Sequence, residues 1–227
     1  MPRIVKTPDE RRSELIACAQ KFFYTKGYER TSISDIINEV GIAKGTFYHY
    51  FGSKEAILEA MVGELTTQGV KILQDIVADE SLPAIPKWVQ AFQVLGSWKT
   101  DHKAEVLAVL QVMQKNENIR LLHEIRMQAL QTTAPEIAKI IAQGVEEGVF
   151  ETAYVADTAE IVIAIMATFS DAMGDIILNP DNYDKPSELA QHKYNAIQTS
   201  VERVLGAPPG SLPILDEPTL LAWFEPA

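Results

Sequence analysis

The sequence predicts an all-α protein in which a small N-terminal helix-turn-helix domain is followed by a larger helical domain. Apolar residues recur at helical spacing along nearly the whole chain, and no strand-like alternation interrupts them. Hydrophobic residues make up 47% of the chain and charged residues 22%, which is typical of a soluble globular protein. A length of 227 residues is enough for one small and one larger domain.

Two helices are predicted in the first 41 residues. The first runs from about residue 9 to Gly27, and the second covers residues 33–40. Ser32 and Asp35 resemble a capping box at the start of the second helix, and Gly41 is suited to end it. The apolar positions are Leu15, Ile16, Ala19, Phe22 and Phe23 in the first helix, and Ile33, Ile36, Ile37 and Val40 in the second.

A third helix over residues 44–51 completes a helix-turn-helix, whose second helix is the one that enters a DNA major groove. Phe47 and Phe51 share the face that we expect to pack inward. The other side chains must then lie on the flanks and outside, where hydroxyl, imidazole and ammonium groups suit contacts to phosphates and base edges. These outward residues are Lys44, Thr46, Tyr48, His49 and Tyr50.

Two residues stand where an isolated helix does not favour them. Gly45 costs roughly 1 kcal/mol relative to alanine but allows another surface to approach closely. Lys54 lies in the first turn of a long fourth helix, where the helix dipole disfavours a cation unless a phosphate docks there. Thr31 and Ser32 are placed for the same kind of contact. Geometry alone leaves a generic helical corner as an equal alternative, and these residues together with the outward aromatic set favour DNA.

The net charge of −11 is unevenly distributed along the chain. Residues 1–60 carry a net charge of +1, and the remaining residues carry −12. Because a surface that meets phosphates depends on local charge, the acidic total does not exclude nucleic acid as a partner. Four basic residues predict an N-terminal arm that follows the DNA backbone or a minor groove: Arg3, Lys6, Arg11 and Arg12.

The segment "TSISDIINEVGIAKGTFYHYFGSKEAIL" (residues 31–58) resembles the signature of the tetracycline-repressor-like (TetR/AcrR) family, and the resemblance extends in detail over residues 9–65. It implies a transcriptional regulator, which we interpret as a repressor, that binds a palindromic operator as a homodimer and responds to a small-molecule effector. The DNA contacts that it implies are Thr31, Ser32, Lys44, Gly45, Thr46, Tyr48, His49 or Tyr50, and Lys54.

Five further helices and a tail are predicted in the rest of the chain. We expect the helices over residues 82–99, 103–115, 117–148, 155–178 and 187–205, the third of them broken or kinked at Pro135. The predicted domains are residues 1–52 for DNA binding, residues 53–206 for effector binding and dimerisation, with 53–78 as a connecting helix, and residues 207–227 as a proline-rich tail.

The last two long helices carry the predicted dimer face. The helix over residues 155–178 is apolar around most of its circumference, so several neighbours must cover it. The last helix has apolar residues at spacings of four and three, here called the heptad seam, which is typical of helix pairs. A four-helix bundle between two subunits fits both features, and the core of one subunit is the alternative. The heptad seam is Ala190, Tyr194, Ile197, Val201 and Val204, and Ile165 is the candidate interface residue on the preceding helix.

An effector cavity is implied by the resemblance and not by a motif. Methionine and aromatic residues at helical spacing are more often ordinary core, which is the alternative for every candidate. His123 and Arg126 share a helix face that is suited to orient an anion, although a surface position is the alternative and the acidic C-terminal part argues weakly against a strongly anionic effector. The candidates are Trp88, Phe92, Trp98, Met113, His123, Arg126, Met127 and Phe169.

The sequence lacks the residues that several classes of protein need for their function. Cys18 is the one cysteine, which we expect to be a packing residue, and the four histidines are too scattered for a metal site. Nucleotide-binding and hydrolase motifs are absent, so we expect no enzyme activity, metal or cofactor. No signal peptide or membrane-length apolar run is found, which predicts a cytoplasmic protein without a membrane partner. The alternatives at this point are a DNA-binding protein of the same fold without an effector and a helical enzyme.

Overall fold

The computed structural model describes residues 6–113 and 119–224, without the side chains of residues 105, 113, 120 and 121, and this part of the chain is all-α. Two short 3-10 turns, Pro180–Asn182 and Ala222–Phe224, accompany the helices. The helices are α1 Pro8–Lys26, α2 Ile33–Val40, α3 Lys44–Tyr50, α4 Lys54–Ala78, α5 Ala84–Asp101, α6 Lys103–Met113, α7 Ile119–Glu146, α8 Val155–Leu178, α9 Pro186–Leu205 and α10 Glu217–Leu221.

Local capping fixes the boundaries of α2 as the sequence predicts. The amide of Asp35 donates to the Ser32 hydroxyl over 3.1 Å, and the amide of Ser32 donates to the Asp35 carboxylate over 2.8 Å. Hydrogen bonds from Lys26 and from Ser32 lower the pKa of Asp35 to about 2, so this cap is charged at neutral pH. Gly41 ends the helix in the left-handed region at φ +71°, which glycine adopts without steric cost.

The first three helices and the start of α4 share one buried cluster, here called the N-terminal core. Phe47 of α3 is fully buried in it and Phe51 is 4% exposed, which confirms the predicted inward pair. Val112 of α6 also belongs to the cluster, and Val109, Leu122 and Ile125 pack against it. The helix-turn-helix domain is therefore joined to the rest of the protein through α6 and α7 as well as through α4.

A second cluster, the C-terminal core, lies between α4, α5, α7, α8 and α9. Fully buried Trp88 and Ile141 are among its large side chains. Of the two predicted outcomes at Pro135, a break does not occur, because α7 is continuous from Ile119 to Glu146. Pro135 is exposed, and so is Gln131, whose carbonyl loses its helical partner at a proline, so water can satisfy that carbonyl.

The C-terminal segment packs onto the C-terminal domain, although the sequence predicts only a proline-rich tail. Leu212, Ile214 and Leu220 are buried. Hydrogen bonds attach the segment along its length: the amide of Leu212 donates to Glu202, Tyr194 donates to the carbonyl of Leu215, and Lys103 donates to the carbonyl of Ala222. The distances of these three bonds are 3.2, 2.7 and 3.0 Å.

The heptad seam packs against its own subunit, as in the alternative that places it in the core of one subunit. Val201 is fully buried in the C-terminal core, and Tyr194 is 8% exposed and packs against Phe169. Ile197 and Val204 are half-buried against the same subunit. Periodicity shows that a helix face is buried, but it does not say whether the covering surface belongs to the same chain. Ile165 of α8 is likewise half-buried against the C-terminal core.

α8 is the one helix in the described part of the chain that is long and apolar enough to cross a membrane by length and composition. Core helices of soluble proteins pass the same test when they are mostly buried, yet only 28% of the apolar window of α8 is buried here. Ile161 is 50% exposed, and Ala164 and Thr168, on the same side of the helix, are also exposed. The single subunit leaves this side of α8 uncovered, and the side also carries the exposed residues Asp157 and Asp171.

Candidate nucleic-acid interface and effector cavity

α3 presents a set of side chains outward while its phenylalanines hold it to the N-terminal core. Tyr48 is 46% exposed, and Lys44, Gly45 and His49 are exposed as well. The Lys44 ammonium lies 5.8 Å from the centroid of the Tyr48 ring, so a cation and a phenol occupy neighbouring positions on this surface. Thr46 is half-buried on the flank. The helix thus offers a cation, a phenol and an imidazole to a partner.

No contact in the described part of the protein explains why a glycine stands at position 45. A Cβ atom built on it meets no other atom within 4 Å, and its backbone is outside the left-handed region. An alanine would fit here and would favour the helix. Internal packing therefore does not require a glycine at this position.

The structure corrects the prediction for two of the residues around α3. Tyr50 is half-buried and packs against the N-terminal core, with its ring edge-on to His49 at 5.2 Å, so it does not point outward as Tyr48 does. Thr31 is only 1% exposed, and its hydroxyl donates to the carbonyl of Gly27 over 2.8 Å. The Thr31 side chain therefore holds the α1–α2 connection and is not available to a phosphate.

Lys54 has internal partners that the sequence does not reveal. Its ammonium donates to the carbonyls of Tyr28 over 2.9 Å and Thr31 over 3.2 Å, and it lies 4.1 Å from the centroid of the Tyr28 ring. These contacts account for a cation in the first turn of α4 without a phosphate. An ammonium has three protons, so one remains for an external acceptor.

The starts of α2 and α4 and the outer side of α3 meet in one shallow depression. Ser32, Tyr48 and Lys54 line it, together with the carboxylates of Glu29 and Glu55. Ser32 is exposed, although its hydroxyl is already bonded to Asp35 at 2.8 Å. A phosphate placed here meets a phenol and an ammonium beside two carboxylates, and the Ser32 hydroxyl can donate to it only after it releases Asp35.

The predicted basic arm is largely neutralised in the structure. Lys6 and Arg11 both pair with Glu14, each at 2.5 Å. Arg12 pairs with Glu64 at 3.3 Å and lies 5.5 Å from the centroid of the Phe51 ring. Arg3 lies outside the described residues. The exposed pairs are weak in water, so the arm can exchange these carboxylates for phosphates at low cost.

A separate cavity of about 210 Å³ lies in the C-terminal domain between α5, α6, α8 and the C-terminal segment. Most of its lining is aliphatic or aromatic. The lining residues are Phe92, Leu95, Gly96, Lys99, Val106, Leu110, Met166, Phe169, Ser170, Met173, Gly174, Ile177, Ile214, Leu215, Leu220 and Trp223.

Two of the predicted effector residues, Phe92 and Phe169, line this cavity. Trp88 is fully buried in the C-terminal core behind Phe92, with the two rings 4.7 Å apart, and does not line it. Trp98 is half-buried on another side of α5, stacked on His102 at 4.6 Å. The Met113 side chain lies outside the described part of the chain.

The predicted residues of α7 face away from the cavity. His123 and Arg126 are exposed, and Met127 is 40% exposed. Arg126 forms an ion pair with Asp171 of α8, so it is not free to orient an effector.

Sequence reasoning missed Lys99 and the contribution of the C-terminal segment. Phe92, Gly96 and Lys99 recur at spacings of four and three, which places Lys99 on the cavity face of α5. That signal is visible in the sequence as a lysine on an apolar helix face. Leu215 and Trp223 gave no such signal, because the segment that carries them has no long periodic helix.

The rest of the described chain offers no metal site, since no group of three His, Cys, Asp or Glu side chains is placed to hold an ion there. Cys18 is buried against α2, as expected of a packing residue. Burial raises the pKa of its thiol, which keeps it protonated and unreactive.

Comparisons with known proteins agree on one family for both domains. Residues 15–61 match the family described as bacterial regulatory proteins, tetR family, and residues 109–179 match the one described as tetracyclin repressor-like, C-terminal domain. The HTH-type transcriptional regulator EthR of Mycolicibacterium smegmatis is 35% identical over 79 residues, which are 35% of this chain and 36% of that protein.

Two longer matches extend over both domains. The HTH-type transcriptional repressor KstR2 of Mycobacterium tuberculosis is 27% identical over 154 residues, which are 66% of this chain and 74% of that protein. The crystal structure of a TetR-family transcriptional regulator from Pectobacterium atrosepticum is 19% identical and superimposes with a TM-score of 0.66 over 89% of this chain and 100% of that chain. At this identity the structural likeness supports the fold alone.

Proposed function

The chain belongs to the tetR family of bacterial regulatory proteins and is a DNA-binding transcriptional regulator, and from this premise we propose that it is a cytoplasmic homodimeric repressor that leaves a palindromic operator when a small molecule fills the cavity. α3 is the helix that enters the major groove, with Lys44, Gly45, Tyr48 and His49 toward DNA. Ser32 and the remaining proton of Lys54 serve phosphates on either side.

The observation that carries the effector response is the position of α6. Val106 and Leu110 on one side of this helix line the cavity, while Val109 and Val112 on another side pack into the N-terminal core. A ligand that displaces α6 therefore acts directly on the cluster that holds α3. The ligand changes operator affinity only to the extent that it binds the two arrangements differently.

The uncovered face of α8 supports a second copy of the chain as the dimer partner. Ile161, Ala164 and Thr168 lie along this face, and Ala196 and Ser200 of the neighbouring α9 are also exposed. Small side chains let helices of two subunits approach closely, and burying Ile161 removes its side chain from water. Two copies place two α3 helices on half-sites about one DNA turn apart or a multiple of it.

The experiment that tests this function is selection of DNA from random oligonucleotides by the full-length protein. We expect an inverted repeat to be enriched. Lys44→Ala should weaken binding to that repeat by about 1–3 kcal/mol and relax the sequence preference at one position, because a lysine at this place contacts a base edge. The loss should be absent on random DNA.

A matched control is Lys71→Ala, which removes an exposed lysine from the far half of α4. Its binding should equal that of the unchanged protein. Equal losses on selected and random DNA would reassign Lys44 to phosphate contact. If selection enriches no sequence at all, the protein is not a sequence-specific regulator through this surface.

Gly45→Ala should move stability and DNA affinity in opposite directions. A methyl group meets nothing inside the protein and favours the helix, so the melting temperature should rise, by an amount that corresponds to about 0.5–1 kcal/mol. The same methyl group stands on the DNA-facing surface, and operator affinity should fall by about tenfold or more, or about 1.4 kcal/mol. Thermal unfolding and fluorescence titration with operator measure the two effects.

Gly63→Ala is the control, because this glycine also lies in a helix and a Cβ there meets its nearest neighbour, Gln128, at an ordinary 3.9 Å. It should stabilise the protein without changing DNA affinity. If Gly45→Ala retains full operator affinity, DNA does not approach this point of α3.

A further inference from the structure

The effector cavity combines an apolar wall with one unpaired cation. Lys99 and Ser170 are the polar side chains among its lining residues, and no carboxylate lines it in the described part of the chain. Lys99 lies near the end of α5, on the same face as Phe92 and Gly96. A ligand in this cavity therefore meets hydrocarbon on most sides and a single positive charge.

Lys99 lines the cavity and is exposed to solvent, and its ammonium has no internal partner in the described part of the chain. No hydrogen bond or ion pair to its ammonium is found among the described residues, whereas Lys87, another lysine of α5, donates to the carbonyl of Val77 at 2.8 Å. Desolvation by the surrounding protein lowers the pKa of Lys99. Its side chain still has accessible surface, because the cavity around it is open. An ammonium that is open to solvent beside an apolar cavity is available to pair with an opposite charge on a ligand.

We propose that the effector is an apolar carboxylate, whose hydrocarbon body fills the cavity and whose carboxylate pairs with the Lys99 ammonium. This inference rests on the proposed function for its regulatory meaning but not for the binding itself. The Ser170 hydroxyl, on the facing helix α8, is a second donor at the cavity wall. An amine is repelled by Lys99, and a neutral ligand leaves the charge uncompensated.

The volume of the cavity limits the ligand. About 210 Å³ is less than the roughly 300–1,000 Å³ of pockets that enclose drug-sized molecules. One hydrocarbon chain or one ring with a short acid side chain is the appropriate size. Such a ligand also lies against Val106 and Leu110 of α6, where it can act on the N-terminal core.

The test is calorimetric titration of the full-length protein, without DNA, with octanoate and 3-phenylpropanoate. 1-Octanol and octylamine are the neutral and cationic counterparts of octanoate. We expect octanoate to bind tightest of the three eight-carbon probes. Lys99→Met should weaken octanoate by about tenfold or more and remove its advantage over 1-octanol, because the charge-assisted contact is lost.

Three controls separate this contact from a general effect on the fold. Lys99→Arg keeps the charge and should retain most of the preference for the carboxylate. Lys71→Met removes an exposed lysine that does not line the cavity and should leave octanoate binding unchanged. The melting temperature of Lys99→Met without ligand should not fall, since Lys99 is exposed and has no internal partner to lose in the described part of the chain.

The proposal is overturned if neither carboxylate binds, if octanoate binds no tighter than 1-octanol, or if Lys99→Met keeps the preference. An outcome in which octanoate binds through Lys99 but leaves operator affinity unchanged supports the ligand class and contradicts the effector step of the proposed function. If the protein binds its operator but binds neither carboxylate, the result contradicts the ligand class alone.

Discussion

Phe47→Ala is expected to lower the free energy of unfolding by about 3–5 kcal/mol and to abolish operator binding. Phe47 is fully buried, and it is the side chain through which α3 is anchored to the N-terminal core, with its ring centroid 6.1 Å from that of Phe51. Alanine removes the ring and leaves a cavity in a cluster that also contains Ile36 and Ile57. A loss of this size is a large part of the total stability of a typical domain. Urea unfolding followed by circular dichroism measures it.

Tyr48→Ala is the matched control, one position further along the same helix. Tyr48 is 46% exposed, so its loss should change stability by less than about 0.5 kcal/mol while it weakens DNA binding. The two variants separate loss of the fold from loss of a contact. A Phe47→Ala protein that unfolds at nearly the same urea concentration as the original would show that α3 is held mainly by something other than this ring.

The helix-turn-helix could be predicted in detail because its signals are local. Ser32 and Asp35 are three residues apart, Gly41 follows the last apolar position, and Phe47 and Phe51 are one turn apart, so each feature is contained within a few residues. Capping and short-range packing depend little on the remainder of the chain. The same locality explains why the bounds of α2 are predicted to the residue.

The role of Lys54 shows where local reasoning fails. A cation in the first turn of α4 is unfavourable in an isolated helix, and the sequence predicts that a bound phosphate offsets this cost. In the folded protein the carbonyls of Tyr28 and Thr31, more than 20 residues earlier in the chain, offset it. Contacts between distant segments cannot be derived from helical spacing.

The helices of the C-terminal domain could be predicted from the sequence, but the surfaces against which they pack could not. The heptad seam is buried, as its periodicity predicts, but Val201 is covered by its own subunit and not by a second one. Apolar periodicity shows that a face is buried and leaves its partner undefined. A cavity is the space between side chains of several helices, so helical spacing on one helix does not show which residues line it. Phe92 lines the cavity, whereas Trp88, four residues earlier on α5, is buried in the C-terminal core.

Gly144→Ala is expected to destabilise the protein by about 2 kcal/mol, although alanine normally favours a helix. Gly144 is buried near the end of α7, where the chain turns back and its carbonyl accepts hydrogen bonds from Val149 and Phe150 at 2.9 and 3.0 Å. A Cβ atom here would stand 2.1 Å from one ring carbon of Phe150 and 2.6 Å from the next. Phe150 is 4% exposed in the C-terminal core, so a rigid ring must move where little space exists.

Gly69→Ala gives the comparison that makes this result interpretable. Gly69 lies within α4, and a Cβ there would meet the Leu95 side chain at an ordinary 3.5 Å, so the gain of up to about 1 kcal/mol in helix stability should be realised. The two glycine-to-alanine changes should therefore differ by about 3 kcal/mol in urea unfolding, with opposite signs. If Gly144→Ala proves neutral, the Phe150 ring has an alternative position, and the turn that leads from α7 to α8 is more adaptable than its packing indicates.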